Sequence, residues 1–485
     1  MKPKALKIVT AALLLSNAMT GLDSTIIGTA LPSIVSDLHG IQFIGWVVAS
    51  FLLGTAVTAA LWSKLGERIG NKRAFQISTL LFSIGSLLQG LSPTMFLLIL
   101  SRLVMGIGCG GMLVIPYIVY ADLYKDPYKR AKVFGLVTAS ASIAAVMGPL
   151  IGGFIVTYFS WHWVFYINVP IGLISIVIVE IFYVSNAKKS VNKPIDYLGA
   201  LFLSGALVSL LVAIEILNSS SLLIKMMLFI VTLIMLSLFV LIERKAVDPI
   251  IPERLFHNRQ LVCEFIMFTF IYGFFIGGNI YIPMWAQGVL GLSAIIGGAS
   301  QVPSAITNFI GTQGGNRLQQ SISSQLVVSI GICSMILSSL FLVILPHAGY
   351  GVLLMSSALQ GLGIGICFVT LQVSVQQKAE PQDVPIATSF SLLCRMIGQT
   401  LMASIYSLIM NRDLFSGVAR SGGKITLHMM NELTDPLTAR LLNPSLLPTM
   451  RQILHNGLQH IMLFSVVLLL ISLIINLFDT DRSKS

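Results

Sequence analysis

The sequence predicts an all-α integral membrane protein with fourteen transmembrane helices. Hydrophobic residues make up 55% of the 485 residues and charged residues only 10%, whereas roughly a quarter of the residues of a soluble domain are charged. Apolar runs of about 20 residues, the length that a helix needs to cross a hydrocarbon core, recur along the chain. They lie near residues 8–34, 43–62, 74–92, 95–119, 133–157, 163–184, 198–217, 222–243, 260–285, 293–313, 324–345, 350–375, 385–410 and 457–478.

The distribution of the basic residues predicts the orientation of these spans. Most lysines and arginines fall on one side of the membrane if the N-terminus is cytoplasmic, and an excess of basic residues marks cytoplasmic loops. We therefore expect both termini to lie in the cytoplasm. Because this bias accounts for the net charge of +11, we expect no nucleic-acid partner.

Small residues indicate close helix packing within the spans. Pairs of glycines with three residues between them form four small-residue faces, of the kind that lets helix backbones approach closely. They are Gly106 and Gly110, Gly148 and Gly152, Gly273 and Gly277, and Gly361 and Gly365. The five cysteines lie in apolar spans without the spacing of metal ligands, and we expect them to be buried core residues.

Three charged residues stand out because they fall inside predicted spans. Asp23 lies roughly 24 Å along the first helix from Lys7, too deep for its short side chain to reach water, and a charge at that depth indicates a function. Arg102 and Arg395 are the basic residues within the spans. Two alternatives stay open: Asp23 caps local backbone near Ser24, and Arg102 or Arg395 is a structural strut.

Five sequence motifs then occur in order. They are Asp23-Ser-Thr-Ile-Ile-Gly-Thr-Ala-Leu-Pro32, Ser63-Lys-Leu-Gly-Glu-Arg-Ile-Gly-Asn-Lys-Arg73, Arg102-Leu-Val-Met-Gly106, Gly148-Pro-Leu-Ile-Gly-Gly153 and Trp161-His-Trp-Val-Phe-Tyr-Ile-Asn-Val-Pro-Ile-Gly172. Together they resemble the major facilitator superfamily, specifically its fourteen-span drug:proton antiporter branch. Ser63, Glu67 and His162 depart from the residues usual in those motifs.

This resemblance implies an architecture and a function. Residues 1–187 and 259–485 would form two six-helix bundles, residues 188–258 would hold two inserted helices, and residues 411–456 would be an external loop. The protein would be a monomer of the bacterial cytoplasmic membrane and not an enzyme, and it would export amphipathic, cationic drugs by proton-coupled antiport. Its partners would be small-molecule substrates, protons and the lipid bilayer, and a proton gradient would take the place of any cofactor.

The resemblance also implies roles for particular residues. Proton coupling and substrate binding fall to Asp23, Arg102 and Arg395. The cytoplasmic gating motif comprises Ser63, Glu67, Arg68, Gly70, Lys72, Arg73 and Asp122, in which the acid at 122 is expected to pair with the bases. The antiporter motif comprises Gly148, Pro149, Gly152 and Gly153, where the helix is expected to bend and pack closely on a neighbour.

Other features keep more than one interpretation. The same motifs fit an exporter of a lipid or lipid-linked metabolite, and a membrane sensor that has lost transport would tolerate the loss of Asp23. Glu180, Glu215 and Glu264 lie near predicted helix ends, where a carboxylate reaches water or headgroups as readily as it serves a function. Apolar residues at helical spacing in 411–456 predict short amphipathic helices on the outer face, with a disordered loop as the alternative.

Overall fold

The computed structural model describes residues 3–183, 197–215, 222–244, 253–345, 349–381 and 383–478, and within these ranges its regular structure is entirely helical. The α-helices are α1 (Pro3–Leu38), α2 (Ile44–Ile69), α3 (Asn71–Gly90), α4 (Met95–Leu123), α5 (Pro127–Tyr158), α6 (His162–Tyr166), α7 (Asn168–Phe182), α8 (Tyr197–Glu215), α9 (Leu222–Glu243), α10 (Arg259–Met284), α11 (Ala294–Ala299), α12 (Val302–Leu318), α13 (Ser324–Ile344), α14 (Tyr350–Lys378), α15 (Val384–Arg420), α16 (Leu427–Leu433), α17 (Pro436–Ala439) and α18 (Leu447–Phe478).

In the described residues, each predicted apolar run overlaps one helix or two consecutive ones. Ten helical segments in the described ranges are long and apolar enough to cross a membrane, so the chain is a multi-pass membrane protein. The helix α3 is not among the ten, because polar side chains such as Ser78, Ser86 and Gln89 line its buried face. The total of fourteen crossings stays a prediction.

The chain divides into two compact units. Unit 1 comprises Met1–Ile27 and Trp46–Ile250, and unit 2 comprises Gly28–Gly45 and Ile251–Ser485. Buried apolar side chains such as Phe75 and Phe82 form the core of unit 1, and others such as Phe268 and Ile332 form that of unit 2. Of the predicted inserted segment 188–258, the structure describes residues 197–215, 222–244 and 253–258.

The predicted small-residue faces are confirmed at all four glycine pairs. A Cβ atom added at Gly106 would meet the Phe51 backbone of α2, and one added at Gly361 would meet the Ser304 backbone of α12. Gly277 lies against the ring of Tyr406 on α15. These contacts leave no room for a side chain, so the glycines set how closely the helices pack.

The segment between the last two long helices is shorter than the sequence predicted. The helix α15 continues to Arg420 and α18 begins at Leu447, so the predicted external loop 411–456 shrinks to 421–446. The apolar periodicity continues past the polar residues Asn411 and Asn456, which therefore lie within α15 and α18. Leu414 and Leu454 are fully buried on these extensions.

The segment 421–446 contains the short helices α16 and α17. Within unit 2 it contacts residues 28–45, which include the end of α1. The side chain of Asn431 accepts a hydrogen bond from the Ile41 N–H at 2.8 Å, and the Thr434 hydroxyl donates to the Pro32 carbonyl at 2.8 Å. The predicted short helix is thus present at Leu427–Leu433, whereas the second predicted helix is the first part of α18.

One prediction about the cysteines is wrong. Cys109, Cys367 and Cys394 are buried, but Cys333 is exposed on α13. Apolar character does not distinguish a core position from a position on the outer face of a membrane helix, because both faces are apolar.

Candidate functional site

Unit 1 contains a buried ion pair between α1 and α4. Arg102 Nη1 donates to Asp23 Oδ2 at 3.0 Å, and the two side chains are 1% and 0% exposed. The residues are 79 positions apart in the sequence. The structure therefore brings together the first two residues that the sequence singled out.

Aromatic and amide side chains enclose this pair. The guanidinium carbon of Arg102 lies 5.2 Å from the ring centroid of Phe51 and 5.7 Å from that of Phe165. The buried side chain of Asn168 approaches the Asp23 carboxylate and donates to the Ser86 hydroxyl at 3.1 Å. Asn168 was not among the predicted site residues, although it belongs to the tryptophan-rich motif that begins at residue 161.

The pair leaves some of its bonding capacity unused. Within the described residues, Asp23 Oδ1 and Arg102 Nε are buried without a hydrogen-bond partner, which is costly for charged groups. The backbone-capping alternative for Asp23 does not match the geometry, because the hydroxyls of Ser24 and Thr25 bond to the carbonyls of residues 21 and 22. A buried carboxylate with one oxygen available is suited to binding a proton.

The antiporter motif packs against the turn of α1 that follows Asp23. A Cβ atom at Gly148 would overlap Thr25, and one at Gly152 would lie 2.6 Å from the Ile26 side chain. Pro149 and Gly153 are buried, and α5 continues through the proline as one helix. The close approach to a neighbouring helix is therefore present, and the neighbour is the helix that carries the buried carboxylate.

The gating motif lies at the junction of α2 and α3. Gly70 has φ +92° between the two helices, a conformation that favours glycine, and Ser63 is partly buried on α2. The expected charge cluster is not formed. Within the described residues 3–183, no ion pair joins Asp122 to the basic residues of the motif. The side chains of Glu67, Arg68, Arg73 and Asp122 are exposed.

Lys72 of this motif pairs with Glu180 of α7 instead. Its Nζ atom lies 3.1 Å from Glu180 Oε2 and donates to the Glu180 carbonyl at 2.7 Å. Gln76 donates to the same carboxylate at 2.8 Å. Sequence reasoning missed this partner because hydropathy places Glu180 near a helix end without indicating which side chain it meets.

Two of the remaining candidate charges, Arg395 and Glu264, lie in unit 2. The guanidinium carbon of Arg395 on α15 lies 4.1 Å from the ring centroid of Tyr272 and 5.0 Å from that of Phe368. Glu264 of α10 does not reach water, since it is buried, pairs with Lys378 Nζ at 2.8 Å and accepts a hydrogen bond from Ser374. The side chain of Glu215 lies outside the described residues.

Comparison with known proteins identifies the family. A model of the Major Facilitator Superfamily matches residues 13–403. The chain belongs to the Major Facilitator Superfamily. It is therefore a transporter and not an enzyme, and the family predicted from the motifs is confirmed, whereas its fourteen-span branch stays a prediction.

The chain is similar in sequence to several transporters, two of which are bacterial proteins named for multidrug resistance or efflux. It is 33% identical to Multidrug resistance protein 3 of Bacillus subtilis (strain 168) over 437 residues, which cover 87% of this chain and 84% of the relative. It is 28% identical to the multidrug efflux pump SdrM of Staphylococcus aureus (strain N315), covering 83% of this chain and 90% of that one.

Solved structures share its fold at low sequence identity. A bacterial homolog of the human lysosomal transporter Spinster superimposes with a TM-score of 0.66 at 16% identity, covering 97% of this chain and 96% of that one. A D-xylose–proton symporter gives a TM-score of 0.61 at 13% identity, covering 90% and 97%. These likenesses establish the fold alone.

Proposed function

We propose that this protein is a proton-coupled antiporter that exports amphipathic drugs or toxic compounds across the bacterial cytoplasmic membrane by alternating access. The observation that carries the proposal is the fully buried Asp23–Arg102 pair, with its 3.0 Å contact. The names of the two bacterial relatives, a multidrug resistance protein and a multidrug efflux pump, support drug export.

In this mechanism Asp23 carries the proton. When water reaches the carboxylate from outside, a proton binds, the charge of Asp23 is neutralised and its attraction to Arg102 weakens. When the cytoplasmic side opens, the proton leaves and the pair forms again. Each proton that enters down a potential of 100 mV releases about 2.3 kcal/mol, so one or two protons per cycle can drive export against a substantial gradient.

The antiporter motif and the gating motif would each support this proton-transfer step. Gly148 and Gly152 hold α5 against α1 beside the proton site, which would exclude a continuous water path. The loop motif from Ser63 to Arg73, together with Asp122, would hold the cytoplasmic side closed in one state of the cycle. The Lys72–Glu180 pair would belong to the state described by this structure.

The proposed architecture has fourteen spans with both termini in the cytoplasm. Residues 1–187 and 259–485 would be the two six-helix bundles, and α8 and α9 would be the two inserted helices of the segment 188–258. The helices that cover all fourteen apolar runs support this proposal. The protein would work as a monomer with small molecules and protons as its partners, without a cofactor or nucleic acid.

The test uses Asp23→Asn in proteoliposomes. The drug is chosen from a susceptibility panel on cells that overexpress the chain, and its addition should release protons from vesicles that carry the wild-type protein. We expect the variant to insert and fold but to release none, because an amide cannot carry the proton. Asp37→Asn is the matched control, since Asp37 is an exposed acid on the same helix. Proton release at the wild-type level from the Asp23 variant would refute the proposal.

A further inference from the structure

Unit 2 contains a cation at membrane depth that is not paired like Arg102. Arg395 lies within the apolar run 385–410 of α15, where a charge is costly and normally pairs with an acid or faces a water-filled space. In the described part of unit 2, no carboxylate lies within ion-pair distance of it. The structure describes two buried acids in that unit, and both have other partners. Glu264 is engaged by Lys378 and Ser374, and Asp383 pairs with Arg254.

Two aromatic rings take the place of the missing acid. Tyr272 on α10 and Phe368 on α14 lie 4.1 and 5.0 Å from the guanidinium carbon, and their own centroids are 6.3 Å apart with the rings nearly perpendicular. A ring face attracts a cation through its quadrupole but does not neutralise the charge. Arg395 therefore keeps a net positive charge beside an aromatic surface.

A buried amide donor lies on the same helix as one of these rings. Gln372 lies one turn after Phe368, and Ser391 lies one turn before Arg395, so each shares a helix face with a member of the cluster. The Ser391 hydroxyl donates to Gln372 Oε1 at 3.3 Å. In the part of unit 2 that the structure describes, Gln372 Nε2 is buried without an acceptor.

A donor-rich aromatic cluster of this kind matches one class of ligand. The planar fork of a guanidinium binds a carboxylate through two parallel hydrogen bonds, and a flat ring packs well against Tyr and Phe faces. Arg395 is only partly buried, so some of its surface is left for contact with a ligand. A carboxylate would neutralise the charge that the protein itself leaves uncompensated.

We propose that Arg395, Tyr272, Phe368 and Gln372 form a binding site, the arginine–aromatic site, for flat aromatic compounds that carry a carboxylate. The preferred substrates are then anionic or zwitterionic aromatics, in place of the simple cations expected from the sequence. This inference rests on the proposed export function and names its substrate class. A substrate that is only cationic would meet an uncompensated like charge at this site.

The experiment measures the binding of three probes that share one ring system. Pyrene-1-carboxylate, 1-pyrenemethylammonium and 1-pyrenemethanol are titrated into the purified full-length protein, and binding is followed by pyrene fluorescence anisotropy. We expect the carboxylate to bind at least about tenfold more tightly than the ammonium probe, since a charge-assisted bidentate contact is worth that factor or more. The neutral alcohol should fall between them.

Variants separate the charge from the rings. Arg395→Gln should abolish the preference for the carboxylate, and Arg395→Lys should keep part of it, because lysine retains the charge but loses the fork. Phe368→Leu should weaken the binding of all three probes by a similar factor. Phe390→Leu is the matched control, because Phe390 is an aromatic residue of α15 that packs against Phe256 and Phe265 instead.

Two results would overturn the inference: equal or tighter binding of the ammonium probe by the wild-type protein, or an unchanged carboxylate preference in Arg395→Gln. If Arg395→Gln does not fold, the other two variants provide the test. The inference then fails if Arg395→Lys keeps the full carboxylate preference or if Phe368→Leu binds the probes as tightly as the wild-type protein. The measurement needs no proton gradient, so Asp23→Asn should keep the wild-type preference. A protein that prefers the carboxylate but exports nothing would contradict the proposed function and leave this site intact.

Discussion

The two units hold their membrane-depth arginines in different ways. In unit 1, Arg102 is 1% exposed and paired with an equally buried aspartate at 3.0 Å. In unit 2, Arg395 is partly exposed and faces the rings of Tyr272 and Phe368. The first arrangement is neutral as a whole and changes charge only when a proton binds. The second stays positive, because no carboxylate in the described part of unit 2 pairs with it.

The difference follows from the cost of burying a charge. Removing an ion from water costs several kcal/mol, and a close partner offsets this cost only when the geometry is good. Removing one partner of a buried pair therefore strongly destabilises the protein. A cation over aromatic rings gains about 0.5–2 kcal/mol and keeps some contact with water or ligand. Arg102 is therefore suited to a switch inside the protein, and Arg395 is suited to recognition.

The largest expected effect is a change in the free energy of unfolding. Arg102→Gln or Asp23→Asn alone should lower the free energy of unfolding by about 3–5 kcal/mol, because each leaves one buried charge unpaired. The double variant should recover most of that loss while transport stays absent. Arg395→Gln should cost about 1 kcal/mol or less. Unfolding in mixed micelles by titration with a denaturing detergent measures all four variants.

The comparison fails if the double variant is as unstable as the sum of the single variants, since the two charges would then not stabilise each other. It also fails if Arg395→Gln is as destabilising as Arg102→Gln. That outcome would make Arg395 a structural strut, the alternative that the sequence left open.

A second prediction concerns the glycines that position each arginine site. Gly148→Ala would drive a methyl group into Thr25 beside Asp23, and Gly398→Ala would drive one into the Thr269 backbone beside the Arg395 turn. We expect each to cost about 1–3 kcal/mol, as overpacking does. Gly148→Ala should reduce substrate-induced proton release, whereas Gly398→Ala should reduce binding of the pyrene carboxylate.

Matched controls exist for both glycines. Gly135 on α5 and Gly314 on α12 have nothing within 4 Å of an added Cβ atom. Alanine there should leave function unchanged and stability equal or slightly higher, because alanine favours a helix by about 1 kcal/mol over glycine. Loss of function in these controls as well would mean that the helices themselves, and not the close contacts, are sensitive to the change.

The smallest effects come from the two lysine–glutamate pairs. In unit 2 the pair of Glu264 and Lys378 is 3% and 12% exposed, so Glu264→Gln should lower the free energy of unfolding by about 1–3 kcal/mol. In unit 1 the Glu180 side chain is 62% exposed, and Glu180→Gln should leave the unfolding midpoint unchanged, because water and salt screen such pairs. Raising the salt concentration should not change the loss of unfolding free energy caused by Glu264→Gln. A larger loss from Glu180→Gln than from Glu264→Gln would contradict this ranking.

Sequence reasoning performed well wherever the signal is local. Hydropathy sums over neighbouring residues, so it located every long helix, and the glycine pairs marked helix faces that are in close contact. It failed at helix ends, as in the segment 411–456, because polar residues such as Asn411 also lie within helices when their side chains find partners. The Asn411 amide donates to the Gln42 carbonyl at 2.9 Å.

By itself, the sequence determined that the chain is a membrane protein, that it belongs to its superfamily and that Asp23, Arg102 and Arg395 are charges at membrane depth. Only the tertiary structure decided their partners. Arg102 meets an aspartate 79 residues away, Arg395 meets rings from two other helices, and Lys72 meets Glu180 in place of Asp122. Ion pairs and ring contacts act over a few ångströms, and those distances are set by helix packing, which no local pattern of residues records.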